Sequence, residues 1–190
     1  MGVLSSIGCI AVVGLVVLVV GLWLVSVYNG LQRKRVIAQT AWSDIDVQLK
    51  RRHDLVPNLV NTVKGYATHE KGVFENVAAA RSAAMGAKSI DAQIAAEGQL
   101  TAALGRLFAV AEAYPDLKAN QNFLQLQEEL TSTENKIGFA RNNYNRSVAQ
   151  FNEATLVFPS NIVASMFGFQ QMKLFELENA AERSVPNVQF

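Results

Sequence analysis

Between Met1 and Gln32 the sequence has no lysine, arginine, aspartate or glutamate. That absence leaves Ile7 to Tyr28 as an almost wholly apolar run, which as a helix spans about 33 Å. A bilayer's hydrocarbon core is roughly 30 Å thick, so the run is long enough to cross it. No basic side chain precedes the run, and its far end, Val25-Ser26-Val27-Tyr28-Asn29, lacks a small-residue cleavage pattern. Both absences favour a retained anchor over a cleaved signal. There is one cysteine, Cys9. No disulfide can form within one chain, which suits a reducing cytoplasm. Cys9 opens the apolar run instead of following it, so it reads as a small membrane residue and not as a lipid attachment point. Histidine is scarce too, with His53 and His69 alone. His69-Glu70 begins a zinc-helix pattern, but Val73 stands where the second histidine belongs. No Gly-rich phosphate loop and no G-x-S-x-G elbow occurs. No catalytic residue, metal ligand or cofactor site is expected, and the chain reads as non-enzymatic.

What is present begins with Arg33-Lys34-Arg35, directly after the uncharged segment. Basic residues flank the cytoplasmic side of a membrane helix. The expected topology is a single pass with a short outside N-terminus and the rest of the chain in the cytoplasm. All 16 acidic residues, and all but those three of the 17 basic ones, follow residue 35. This slightly negative balance argues against nucleic acid as a partner. Lys50-Arg51-Arg52 is the local exception and reads as a solvated helix face. The sharper alternative is contact with an acidic partner or lipid headgroups. Three segments follow: 1–35 as outside end, anchor and basic flank, 36–158 as a helical bundle, and 159–190 as a short helix and packing tail.

Apolar residues beyond residue 35 recur at spacings of 3 and 4, with no sustained alternation, so the fold class is all-α. Gly14, Gly21, Tyr28, Arg35, Trp42, Leu49 and Val56 stand seven apart, with Leu24, Leu31, Ala38 and Ile45 as companions. A seven-residue period that survives the membrane boundary implies one helix running out of the bilayer. Arg35 and Arg52 interrupt this seam. Pro57 is expected to end or kink the helix, since it lacks the N–H and clashes with the carbonyl of His53. A second helix is expected from Asn58 to about Met85, with Leu59, Val63, Tyr66, Val73, Val77, Ala80 and Ala84 on its apolar stripe. A third starts with Asp91 as N-cap and stops at Tyr114-Pro115-Asp116. The fourth carries the clearest seam, from Phe123 through Leu130, Ile137, Tyr144 and Phe151 to Ala154. Phe158-Pro159 closes it, and a short helix follows from Ser160 or Asn161 to Phe167, ended by Gly168. The architecture expected is an elongated antiparallel bundle of about four long helices.

Three groups of residues invite a role. Gly14 and Gly21 share a face of the membrane helix, where small residues let helices approach. Glu70 falls on the second stripe, and a buried carboxylate needs a partner. Lys64, Lys71, Arg106 or Arg141 could supply one, and Glu70 with Arg141 is the candidate polar clamp. Six of the ten phenylalanines lie at Phe151 or beyond. Of these, Phe167, Phe169, Phe175 and Phe190 are candidates for an intersubunit tail. Packing on the chain's own bundle or on the membrane surface remains open.

The stretch from Ala41-Trp42-Ser43-Asp44 through Arg51-Arg52-His53-Asp54-Leu55-Val56-Pro57-Asn58 resembles the signature of the LemA family. So do Lys64-Gly65-Tyr66-Ala67 with His69-Glu70, and Ala113-Tyr114-Pro115-Asp116-Leu117. Phe151-Asn152, Phe158-Pro159 and Phe167-Gly168-Phe169 extend the likeness over nearly the whole chain. The resemblance implies a bacterial inner-membrane protein with one N-terminal membrane helix, a cytoplasmic helical bundle and no established enzymatic activity. A relative in the family is associated with invagination of the magnetosome membrane, and family members are often encoded near membrane-stress proteins. The function expected is a scaffold that self-associates as a homo-oligomer on the lipid bilayer and organises membrane or serves envelope stress. The alternative is an adaptor that recruits a membrane-protein partner, such as a quality-control protease.

Overall fold

The computed structural model describes the backbone of residues 2–175, with side chains from Val12 onward and at Ile10. Six helices follow in order: α1 (Gly2–Lys64), α2 (Lys71–Gly86), α3 (Ile90–Glu112), α4 (Pro115–Lys118), α5 (Gln121–Leu156) and α6 (Ser160–Met166). Among the described residues there is no strand. The protein is all-helical, with a long N-terminal apolar helix. The described residues divide into two compact units, 2–42 with 143–174 and 43–142 with Phe175. This division differs from the three segments drawn from the sequence, whose boundaries follow the basic flank at residue 35 and Phe158-Pro159.

The first unit is built on a seam legible in the sequence. Leu31 is buried with Val163 and Ala164 of α6, and Leu24, Val27, Tyr28, Ala154 and Phe169 pack around them. Aromatic edges lock the same region. The Tyr28 ring lies 4.9 Å from Phe167 and 5.6 Å from Phe169, and Phe169 lies 6.3 Å from Phe151. Such edge-to-face pairs align a positive ring edge with a negative ring face. The Ser160 hydroxyl donates to the carbonyls of Ala154 and Val157, satisfying the open end of α5. Gly168 has φ +68°, a left-handed conformation that glycine adopts without a Cβ penalty. It turns the chain back along α5, where Asn152 holds it at two points. The Asn152 Nδ2 donates to the Met172 carbonyl and its Oδ1 accepts from the Met172 N–H, both at 2.8 Å. The Tyr144 hydroxyl donates to the Lys173 carbonyl at 2.8 Å. Burial raises the Tyr144 pKa above its ordinary value, because the phenolate would lose its hydration.

The second unit closes around one apolar core. Val56, Leu59 and Val63 of α1, Phe74 and Val77 of α2, Leu100, Leu104 and Leu107 of α3, Leu117 of α4 and Phe123 and Leu130 of α5 are all buried in it. Two N-caps fix where helices begin. Ser89 accepts from the Ala92 N–H and starts α3, so Asp91 falls in the first turn and is not the cap. Asn120 does the same for α5 by accepting from the Phe123 N–H.

Pro57 does not end α1, which continues to Lys64. The expected helix from Asn58 to Met85 is therefore two pieces: the end of α1, then α2 after a break over residues 65–70. Proline in a helix interior orphans the carbonyl four residues earlier. Here that carbonyl, on His53, accepts a 2.7 Å hydrogen bond from Nε of Arg81 on α2. A side chain from the next helix restores the bond the proline removed, so the helix has no reason to stop. Tyr66, placed on the second stripe by spacing, lies in the break and is exposed. Its hydroxyl accepts from Asn120 Nδ2 at 2.9 Å.

Arg81→Leu is expected to lower stability by about 1–3 kcal/mol, the usual cost of an unsatisfied buried acceptor. In a Pro57→Ala background the new N–H serves His53 and most of that cost should vanish. Denaturant unfolding of the four variants measures this coupling.

Candidate functional site

Two features stand apart from ordinary packing: a hydrocarbon surface on α1 and a buried polar network between α1 and α3. On α1, Val12 through Val20 and Leu22 are all exposed, with Ile10 before them and Val25 after. This is the one helix among the described residues long and apolar enough to cross a membrane. A Cβ added at Gly14 or Gly21 would meet nothing within 4 Å, so both glycines present an open face. Arg33 and Arg35 are exposed and Lys34 is half-buried. Arg35 also borders a small cleft lined by Gln39, Phe151 and the 168–172 segment.

The polar network centres on Glu97, a carboxylate buried on α3. Its Oε1 lies 2.7 Å from His53 Nε2 and 3.0 Å from Gln93 Nε2. Its Oε2 lies 3.3 Å from Nη1 of Arg52. As the carboxylate partner of a guanidinium, Glu97 only accepts, so His53 Nε2 carries the proton and donates. Arg52 is only 5% exposed. It is held further by Thr101 Oγ1 at 2.7 Å and by Glu134 of α5 at 3.3 Å. The Thr101 hydroxyl in turn donates to the Glu97 carbonyl. Charges removed from water need this many partners to be tolerated. The ring nitrogen and both carboxylate oxygens are engaged, and the cluster's chemistry is that of a clamp that fixes α1 against α3.

Sequence reasoning missed this clamp. Lys50 and Arg51 are exposed, as a solvated face requires, but Arg52 turns inward. The signal was available. Arg52 interrupted the α1 seam, and Glu97 precedes Leu100, Leu104 and Leu107 at spacings of 3 and 4 on the α3 stripe. Two opposite charges on two apolar stripes are the pattern of a buried pair. Glu70, assigned that role instead, is the N-cap residue of α2 and half-buried, with its side chain making no cap bond. The helix break at 65–70 removes it from the stripe that would have buried it. The Arg141 guanidinium lies 4.9 Å over the Phe175 ring and not against Glu70. Of the tail residues, Phe175 is buried, Phe169 half-buried and Phe167 exposed, while Phe190 lies outside the described residues. Among the described residues no three His, Cys, Asp or Glu side chains gather as a metal-holding group.

Glu97→Ala is expected to cost about 3–5 kcal/mol by stranding Arg52 without its buried partner. Glu97→Gln should cost less than half as much, because one acceptor oxygen remains. Equal losses in thermal unfolding would mean that the charge alone holds the clamp, since glutamine keeps the shape and an acceptor oxygen.

Residues 41–190 match the sequence model of the LemA family. Magnetosome protein MamQ of Magnetospirillum gryphiswaldense is 25% identical over 184 residues, covering 83% of this chain and 68% of that protein. Magnetosome protein MamQ 2 of Paramagnetospirillum magneticum is 25% identical over 173 residues, covering 77% of this chain and 64% of that protein. Protein LemA of Metamycoplasma hominis is 28% identical over 152 residues, covering 78% and 68% respectively. The matches thus span about two thirds of the relatives' own length.

Proposed function

The chain belongs to the LemA family, and from that premise we propose that it is a non-enzymatic scaffold, anchored in the bacterial inner membrane by α1 and self-associating there. The observation that carries this reading is the exposed hydrocarbon of α1 at Ile10, from Val12 to Val20, and at Leu22 and Val25. Soluble proteins rarely leave so large an apolar patch in water. Arg33, Lys34 and Arg35 directly after it favour a single pass with the N-terminus outside and the helical units in the cytoplasm. Relatives named as magnetosome proteins fit a part in membrane organisation.

Self-association is supported by Gly14 and Gly21, seven apart and open, where a second α1 can approach closely. Many anchors joined in one array bind a bilayer far more strongly than one, and that avidity lets a scaffold shape it. The adaptor reading has one observation in its favour. The outer face of α5 carries a shallow groove of about 660 Å³, lined by Leu124, Thr131, Asn135 and Phe139 among others. Phe139 at its end is 76% exposed.

The mass of the full-length protein in mild detergent, by light scattering, tests the scaffold. A particle of several chains is expected, shrinking toward one chain in Gly14→Leu/Gly21→Leu. A monomer at high concentration would overturn self-association and favour the adaptor.

A further inference from the structure

The exposed apolar residues of the protein are not confined to α1. At the corner where α5 ends and α6 begins, Leu156, Val157, Phe158, Ile162, Met166 and Phe167 all face outward, Phe158 at 74% and Met166 at 66% exposure. No Asp, Glu, Lys or Arg occurs between Glu153 and Lys173. The polar side chain at the corner's centre is turned inward, since the Ser160 hydroxyl donates to the carbonyls of Ala154 and Val157. Apart from the exposed Ser165 and the part-exposed Asn161, the outward surface is hydrocarbon.

Position decides what covers it. The buried side of α6, Val163 and Ala164, packs on Leu31 beside Leu24, Val27 and Tyr28 of α1. Phe167 meets the Tyr28 ring at 4.9 Å. Tyr28 closes the apolar run, and Arg33 follows it by about 7–8 Å of helix rise. The corner is thus fastened to the very stretch of α1 that passes from hydrocarbon to headgroups. Amphipathic elements at this level bury their apolar face about 5–10 Å deep, and aromatic side chains concentrate there.

Resting on the reading of α1 as a membrane anchor, we infer that the 156–167 corner is a second membrane contact, a wedge of Phe158, Ile162, Met166 and Phe167 inserted into the headgroup–acyl boundary of the leaflet that Arg33 to Arg35 face. The occupant of this surface is lipid. Tyr28, Phe167 and Phe169 then form an aromatic layer at the interface, and the wedge displaces lipid on one side of the bilayer only.

The test uses the full chain with Cys9→Ser in phosphatidylcholine–phosphatidylglycerol vesicles. Single cysteines are placed by Phe158→Cys or Met166→Cys and labelled with nitrobenzoxadiazole. Val16→Cys serves as the membrane reference and Phe139→Cys as the aqueous one. These four side chains are exposed, so labelling leaves the packing intact. Labels at 158 and 166 are expected to lose most of their emission to lipids spin-labelled near the headgroup and to resist iodide. The Val16 label should respond to lipids spin-labelled deeper in the chain, and the Phe139 label to iodide alone. If 158 and 166 respond to iodide while Val16 stays lipid-quenched, the anchor stands and the wedge is overturned. Shielding from both quenchers overturns it in favour of a contact with another copy. If Val16 itself responds to iodide, the anchor reading fails and the wedge fails with it.

Discussion

From Val12 to Val20 α1 presents exposed hydrocarbon, and among the described residues nothing covers it. Most of the structure's other choices follow from that constraint. A helix that must leave an apolar phase and then serve as a core element cannot be broken at the boundary. Accordingly α1 runs unbroken from Gly2 to Lys64, through Gly30 and through Pro57. The charges at Arg33 to Arg35 sit outside its buried seam, while Leu31, Ala38 and Ile45 continue that seam inward. One helix thereby passes from an uncovered apolar stretch to a packed core element without a break.

Continuity has a cost at Pro57 and at Arg52, and both are met from other helices. Arg81 of α2 supplies the hydrogen bond that Pro57 removes. Glu97 of α3 supplies the countercharge that Arg52 needs once it turns inward. The two compensations lie on consecutive residues of α1, since His53 gives its carbonyl to Arg81 and its ring to Glu97. Polar side chains from α2 and α3 therefore fix the same turn of α1 that the surrounding leucines and valines pack against.

What was legible in the sequence was periodic. The α5 seam from Phe123 to Phe151 and the α1 companions Leu31, Ala38 and Ile45 are buried where their spacing put them. The hidden features were those in which distant residues answer each other. Spacing and proline chemistry alone predict an end or a kink at Pro57, because the donor that serves the orphaned carbonyl is 28 residues away from His53 along the chain. Arg52 was read as solvated because its partner is 45 residues away. Glu70 was read as buried because a stripe was continued across a break that the backbone makes at Gly65 to Glu70. Local spacing describes which face a helix buries, but not which polar groups meet once it is buried.

The two-point grip of Asn152 on Met172 has a further consequence. Asn152 uses its amide N–H and its amide oxygen on the carbonyl and the N–H of residue 172, and neither engages the side chain. The amide acts as a single rung of a sheet, recognising backbone and indifferent to what is attached to it. An aspartate at 152 could not donate to the carbonyl, and a leucine could do neither. At position 172, by contrast, any residue with an N–H is compatible, and proline alone is not. The returning segment is thus held in register at residue 172 by a contact that places no demand on that side chain, so the path of the chain there is fixed through its backbone.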